Sequence, residues 1–241
     1  QDLGVSDANQ TSPLFTGLTA NLAPGETMLL EGAGGQNVDA FLDLLLGQRR
    51  PTFGQSRIDG RPPQDLATTR GTDGIVVVDA EPVLFIGTIL ENNSALGDGA
   101  RQAYALHLAS KLSLEDAVHR LPSGYNTRIG EGRSFDDNPS NSQLISLVRA
   151  LALRPRLLVL NEPSALLDDA ARAAFASALS SLEPRPTIVI ATPDPRLKKL
   201  ADVTLDLSDE VDGRTAEWLA DGAEDRVPHT GSAAQAVAGA A

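Results

Sequence analysis

Apolar residues in this chain follow two spacings, and their alternation predicts most of its elements. Unbroken runs of aliphatic and β-branched residues occur at Leu29-Leu30, Ile75-Val76-Val77-Val78, Leu157-Leu158-Val159-Leu160 and Thr187-Ile188-Val189-Ile190. They read as strands, and Leu157-Leu158-Val159-Leu160 as a buried one, because a strand covered on both faces has no polar side to present. Between them the apolar positions shift to helical spacing: Phe41-Leu42-Asp43-Leu44-Leu45-Leu46-Gly47, the run Ser142–Leu151, and the Ala-rich segment Asp168–Leu182, closed by Pro184 and Pro186. One further helix is predicted over Arg101–Leu121, with Leu106, Ala109, Leu112 and Leu114 on its apolar face and Pro122-Ser123-Gly124 ending it. Pro51-Thr52-Phe53-Gly54 and Ile58-Asp59-Gly60 mark turns. The expected fold class is α/β, with a mainly parallel sheet core, an antiparallel β subdomain and a helical lobe over about 86–153, while residues 1–75 alternate short strands and turns around the helix that follows Leu29-Leu30. Residues 222–241, rich in Ala, Gly and Ser, have little to bury and are expected to form a disordered tail.

The ends of the apolar runs carry the candidate chemistry. In Leu157–Asp168 the strand stops abruptly at Asn161-Glu162-Pro163, delivering an amide and a carboxylate to a sheet edge. After Leu29-Leu30 comes Glu31-Gly32-Ala33-Gly34-Gly35-Gln36-Asn37-Val38-Asp39-Ala40, a glycine-rich turn before a helix. Such a turn can cradle phosphate with backbone N–H groups, though on its own it also reads as a flexible connection.

Taken together, these segments resemble the ATP-binding cassette (ABC) family, in the expected order over roughly residues 1–215. Leu157–Asp168 is similar to the Walker B strand and D-loop, where four apolar residues precede Asp-Glu. Here the first acid is Asn161 and the second, which the resemblance makes the general base, is Glu162. In the register of the P-loop pattern GxxxxGK[ST], Gly32 and Gly35 remain, while the last glycine is Asn37, the lysine Val38 and the hydroxyl residue Asp39. The nucleotide-binding positions the resemblance implies are thus Gly32, Gly34, Gly35, Gln36, Asn37, Val38, Asp39 and Ala40. Asp39 is expected to set a carboxylate near a helix N-terminus otherwise suited to anions.

Gly74–Asn92 looks like the Q-loop region of ABC exporters, with Ala80 at the Gln position and Leu84-Phe85-Ile86-Gly87-Thr88-Ile89-Leu90-Glu91-Asn92 close to the exporter pattern. Leu121–Gly132 is also exporter-like. The signature expected after it reads Asp137-Asn138-Pro139-Ser140-Asn141, followed by a helix with the family's Arg149-Ala150-Leu151 end. Pro193 stands at the switch-histidine position, and Asp7 falls near the register of the adenine-stacking aromatic. Through the resemblance the signature residues and Asp168 become dimer-interface positions; as an Asp before a helix, Asp168 is equally a natural N-cap. Arg133 can be read as a substitute phosphate contact or a solvated side chain. Tyr125 and Phe85 are expected to pack the helical lobe or face a partner, and Trp218 to anchor packing.

Composition narrows the classes. The 241 residues, 41% of them hydrophobic, suffice for one good core or two packed lobes. With no cysteine there is neither a disulfide framework nor a Cys-based metal or redox site. His107, His119 and His229 are scattered, so no metal site is expected. A net charge of −12 argues against a nucleic-acid surface. The sequence has no apolar stretch of about 18 residues or more that could span a bilayer.

The resemblance implies an ABC exporter nucleotide-binding domain over 1–221, with degenerate motifs. ATP and magnesium are the family's cofactors, and the substitutions place their binding in question. The implied partners are an ABC transmembrane domain, on the same polypeptide since the chain starts at Gln1, and a second nucleotide-binding domain, as homo- or heterodimer. The implied location is the cytoplasmic face of the cell membrane. Three activities stay open at this stage: a structural or allosteric half of a transporter dimer, impaired in hydrolysis; a nucleotide-free scaffold of ABC fold; and an ATPase with unusual ligands, using Glu162 as base and Gln36 or Asn37 for lost contacts.

Overall fold

The computed structural model describes residues 3–6, 13–32, 35–66, 74–129 and 138–207. In chain order its elements are β1 (Leu3–Ser6), β2 (Pro13–Leu18), β3 (Thr27–Glu31), α1 (Gly35–Leu45), α2 (Pro63–Leu66), β4 (Ile75–Val78), β5 (Gly87–Thr88), α3 (Ile89–Asn93), α4 (Gly99–Lys111), α5 (Glu115–His119), β6 (Arg128–Ile129), α6 (Pro139–Ala152), β7 (Leu157–Asn161), α7 (Asp169–Ser180), β8 (Thr187–Ala191), α8 (Pro195–Lys198) and β9 (Val203–Asp206). The chain divides into two compact units, one taking 1–23, 28–69 and 202–241 and the other 24–27 and 70–201. Arg133, Asp137, Gly34, Asp7, Trp218, His229 and the expected tail lie outside the described residues.

In the first unit Met28–Glu31 of β3 pairs in parallel with Val203–Asp206 of β9, and β1 pairs antiparallel with β2. Helix α1 closes over β2, where the Phe15 and Phe41 rings meet at 6.3 Å between centroids. Gly47 ends that helix at φ +70, with the Gln48 N–H reaching back to the Asp43 carbonyl at 2.9 Å. A Cβ on Gly47 would sit 2.9 Å from the Gln64 backbone, so this position needs both the left-handed conformation and the missing side chain.

The second unit has a parallel core, β7 lying between β4 and β8 in unbroken register from Leu157↔Ile75 and Leu157↔Thr187. Leu158, Val159 and Leu160 are fully buried, as the uninterrupted apolar run predicts. Helix α6 packs on α3, α4 and β4, and α7 packs on α4 and α8. The separate short pair β5–β6 is antiparallel. The mixed α/β class, with parallel pairing in its core and an antiparallel pair apart, is as the pattern predicts.

Three local expectations need correction. The single helix over Arg101–Leu121 is two, because Asp98 caps α4 at its start and Ser113 turns left-handed at φ +61 between α4 and α5. The chain bends there to bury Leu112 and Leu114 completely. Leu106, placed on the apolar face by spacing, is 36% exposed; Ala105 and Leu108 join Ala109 on the buried face instead. The helix expected from Phe41 starts six residues earlier, at Gly35, so Asp39 is the fifth residue of α1 and outside its first turn.

At α3 the sequence forms a capping box. The Thr88 hydroxyl accepts from the Glu91 N–H, and Glu91 Oε2 accepts from the Thr88 N–H at 2.7 Å. That backbone bond, then the bond from the Thr88 hydroxyl, holds the Glu91 carboxyl below its ordinary pKa; burial opposes and Arg128 assists. A depressed folded-state value means that ionised Glu91 stabilises the fold above the unfolded carboxylate pKa. The contribution disappears as pH falls through the folded-state value. Urea unfolding of Glu91→Gln from about pH 6 to about pH 3 is therefore expected to lose less stability than the parent chain does.

Candidate functional site

At the P-loop position, in the first unit, β3 ends at Glu31 and the chain passes Gly32 into α1. A Cβ on Gly32 would meet the Leu207 Cβ at 3.1 Å, so the glycine allows the segment after β9 to lie close. The Leu207 N–H donates to the Glu31 carbonyl at 2.6 Å, and its carbonyl accepts from the Asn37 side-chain amide at 2.8 Å. Asn37, at the last-glycine position, thus spends its side chain on a contact 170 residues away in sequence. Gly35 and Gln36 are exposed, Val38 is half-buried, Asp39 is exposed and Ala40 faces the core. No cationic side chain stands among these residues.

In the second unit, β7 delivers Asn161, half-buried and opposite Ala191, and then turns at Glu162. Glu162 adopts φ +46 and its N–H donates to the Ala191 carbonyl at 2.8 Å. Left-handed backbone at a non-glycine residue is uncommon and is held here by the strand pairing beneath it. The carboxylate of Glu162 is exposed and borders a cleft of about 160 Å³, with Ser164, Arg172, Pro193 and Asp194 on the other walls. Asp194, 5% exposed, caps α8 through the Arg196 N–H at 2.9 Å. Pro193, at the switch position, is exposed.

Asp168 is the N-cap of α7, its Oδ1 accepting from the Ala171 N–H at 2.8 Å. This is the role that an Asp ahead of an Ala-rich helix predicts. Ala80 follows β4 and is half-buried. Gln143, fully buried on α6, donates to the Pro163 carbonyl at 2.9 Å and the Asp79 carbonyl at 3.4 Å. It joins the turn after β4 to the turn after β7. Sequence reading gave no role to Gln143 or Asp194, because their partners are set by the tertiary fold.

At the signature position, Asn138 caps α6, and Pro139, Ser140 and Asn141 are its first residues. Pro139 has no N–H. The Ser140 N–H donates to Asn138 Oδ1 at 3.0 Å, and the Asn141 and Ser142 N–H groups donate to the Asn138 carbonyl at 3.0 and 3.3 Å. The first turn of this helix has its donors committed within the chain. Among the described residues no three acidic, His or Cys side chains gather where they could hold a metal ion, and no helix is long and apolar enough to cross a membrane.

An α/β domain carrying this order of glycine turn, strand-end acid and capped helix is of the nucleotide-cassette class. A family profile described as ABC transporter matches residues 15–165. The chain is 31% identical over 184 residues to an ATP-dependent lipid A-core flippase of Saccharophagus degradans, covering 76% of this chain and 31% of that one. It is 31% identical over 192 residues to antigen peptide transporter 2 of Rattus norvegicus, covering 79% and 27%. A solved structure, a bacterial Atm1-family ABC exporter with ATP bound, superposes with a TM-score of 0.72 at 23% identity over 86% of this chain and 36% of that chain, which speaks for the fold. The chain belongs to the ABC transporter family and is a nucleotide-binding domain of the exporter type. It spans about a third or less of the length of these relatives.

Proposed function

We propose that this domain is the catalytically impaired half of an ABC exporter dimer, serving a structural and allosteric role beside a second nucleotide-binding domain. The observation that carries the reading is the first turn of α6, where phosphate donors would be sought. Pro139 supplies no donor there, and Ser140 and Asn141 donate to Asn138. An anion arriving would have to displace hydrogen bonds that the helix already makes.

The remaining positions point the same way. Val38 offers a phosphate no charge, Asp39 adds a like charge, and Asn37 is held by Leu207. Asn161 brings an amide where magnesium favours carboxylate and water oxygens. These residues do not fit ATP–magnesium in the family's manner, so Glu162 is read as a retained strand-end acid. Phosphoryl transfer depends on stabilising developed charge, which disfavours the reading as an ATPase with unusual ligands.

The membrane partner is proposed to be an ABC transmembrane domain on the same polypeptide, at the cytoplasmic face of the cell membrane. The relatives' greater length supports this, together with the exposed Val83 and Ile86 in the exporter-like segment. The cassette is taken as residues 1–221, with its helical part over about 86–153. Calorimetric titration of the chain with ATP–magnesium tests the reading. No binding below about millimolar is expected, corresponding to less than about 4 kcal/mol of affinity. Micromolar binding would reverse the proposal.

A further inference from the structure

Between Glu81 and Ile86 the chain has no helix or strand, yet it is held in place by two side chains. Asn92, fully buried on α3, accepts from the Phe85 N–H at 3.2 Å and donates to the Phe85 and Thr88 carbonyls at 3.0 and 3.1 Å. Arg149, near the end of α6, reaches the same loop. Its Nη2 donates to the Val83 carbonyl, Nη1 lies 3.5 Å from Asn92 Oδ1, and the guanidinium sits 5.9 Å from the centre of the Phe85 ring.

The loop so fixed carries two bare aliphatic side chains, Val83 at 77% and Ile86 at 64% exposure. A segment ordered at its backbone and apolar at its surface is preorganised for contact, since little freedom remains to be lost on docking. Arg149 suits this task and lysine does not. The planar fork donates in fixed directions to two acceptors with its flat face toward an aromatic ring, a geometry that the compact, rotatable ammonium of lysine does not hold. Burial lowers the Arg149 pKa, but a guanidinium stays charged across the working range. Asn138 and Arg149 are 11 residues apart on the single helix α6, roughly 17 Å along its axis. The signature position and the loop are thus attached to one element.

We propose that Arg149 is a positioning residue that holds the Glu81–Ile86 loop in the one shape presenting Val83 and Ile86 to the membrane domain; the identity of that partner rests on the exporter reading above. The chain has no cysteine, so Ile86→Cys carries a single nitroxide label without further changes. The label is expected to be immobilised in the parent and mobile in Arg149→Lys. Exchange of the Phe85 amide hydrogen is expected to rise about tenfold in that variant, as for loss of one charge-assisted hydrogen bond. Amides of β7 and β8 should keep their parent rates. An immobile label with unchanged Phe85 exchange in Arg149→Lys would overturn the proposal, and so would equal acceleration in β7 and β8.

Asn92→Ala offers a second variant should Arg149→Lys fold poorly, with the same loop-only signature expected. In the domain expressed together with the proposed membrane domain, Ile86→Cys should cross-link to it, with a lower yield in Arg149→Lys. Undiminished cross-linking in Arg149→Lys would overturn the positioning role. A loop freed by Arg149→Lys in a protein that never cross-links would instead remove the membrane partner and leave Arg149 holding the loop.

Discussion

Val38→Lys combined with Asp39→Ser is expected to give the domain measurable ATP–magnesium affinity, where the natural chain is expected to show none below about millimolar. One charge-assisted phosphate contact is worth roughly 1.5–3 kcal/mol, one to two decades in affinity. Removing the Asp39 carboxylate adds to the gain by taking away a repulsion. The expected shift is therefore about a hundredfold, read by calorimetry on the natural and double-mutant chains side by side.

The structure adds a second step to this experiment. Helix α1 already begins at Gly35, and Asn37 is tied to the Leu207 carbonyl. If the double mutant stays silent and adding Asn37→Gly brings binding, that hydrogen bond is what keeps the turn from opening around phosphate. Silence of the triple mutant would mean that the backbone itself has left the phosphate-binding shape. Each result separates lost side-chain charge from lost backbone geometry.

How legible these features were in the sequence depended on how local their causes are. Strands β7 and β8 were plain, because burial on both faces leaves unbroken apolar runs that need no partner to be recognised, and β4 shows the same kind of run although only Val78 in it is buried. The cap of α7 at Asp168 was equally local, needing only an Asp three residues before the N–H it accepts. The break between α4 and α5 was not legible. Helical spacing continues through Leu112 and Leu114, and nothing in the residue type of Ser113 announces a left-handed turn. For α1 the two glycines argued for a loop, whereas the early start goes with a contact from Asn37 to Leu207, far along the chain.

The candidate positions themselves could be read by register, from Gly32 to Pro193, but their hydrogen bonds could not. Asn92 and Arg149 stood in plain view inside recognised segments without a role. The link from Arg149 to Val83 crosses 66 residues, and only the packing of α6 on α3 creates it.

Phe175→Ala is expected to cause one of the largest losses of stability in the chain. Phe175 is fully buried on α7, the helix that Asp168 caps beside the Glu162 turn. Truncating a buried Phe removes its transfer free energy and leaves a cavity, together about 3–5 kcal/mol. For a domain of this size that corresponds to a fall of about 6–20 °C in the thermal midpoint, followed by circular dichroism. The weakened variant then becomes a sensitive reporter of ligand. A cassette that bound ATP–magnesium would recover about 2.7 kcal/mol at a concentration a hundredfold above its Kd, because ligand bound to the folded state alone draws the equilibrium toward it. On the reading proposed here, adding ATP–magnesium leaves the midpoint of Phe175→Ala where it was. A rise of several degrees would show that the natural P-loop residues still hold nucleotide, and Glu162 would then return to consideration as a working base.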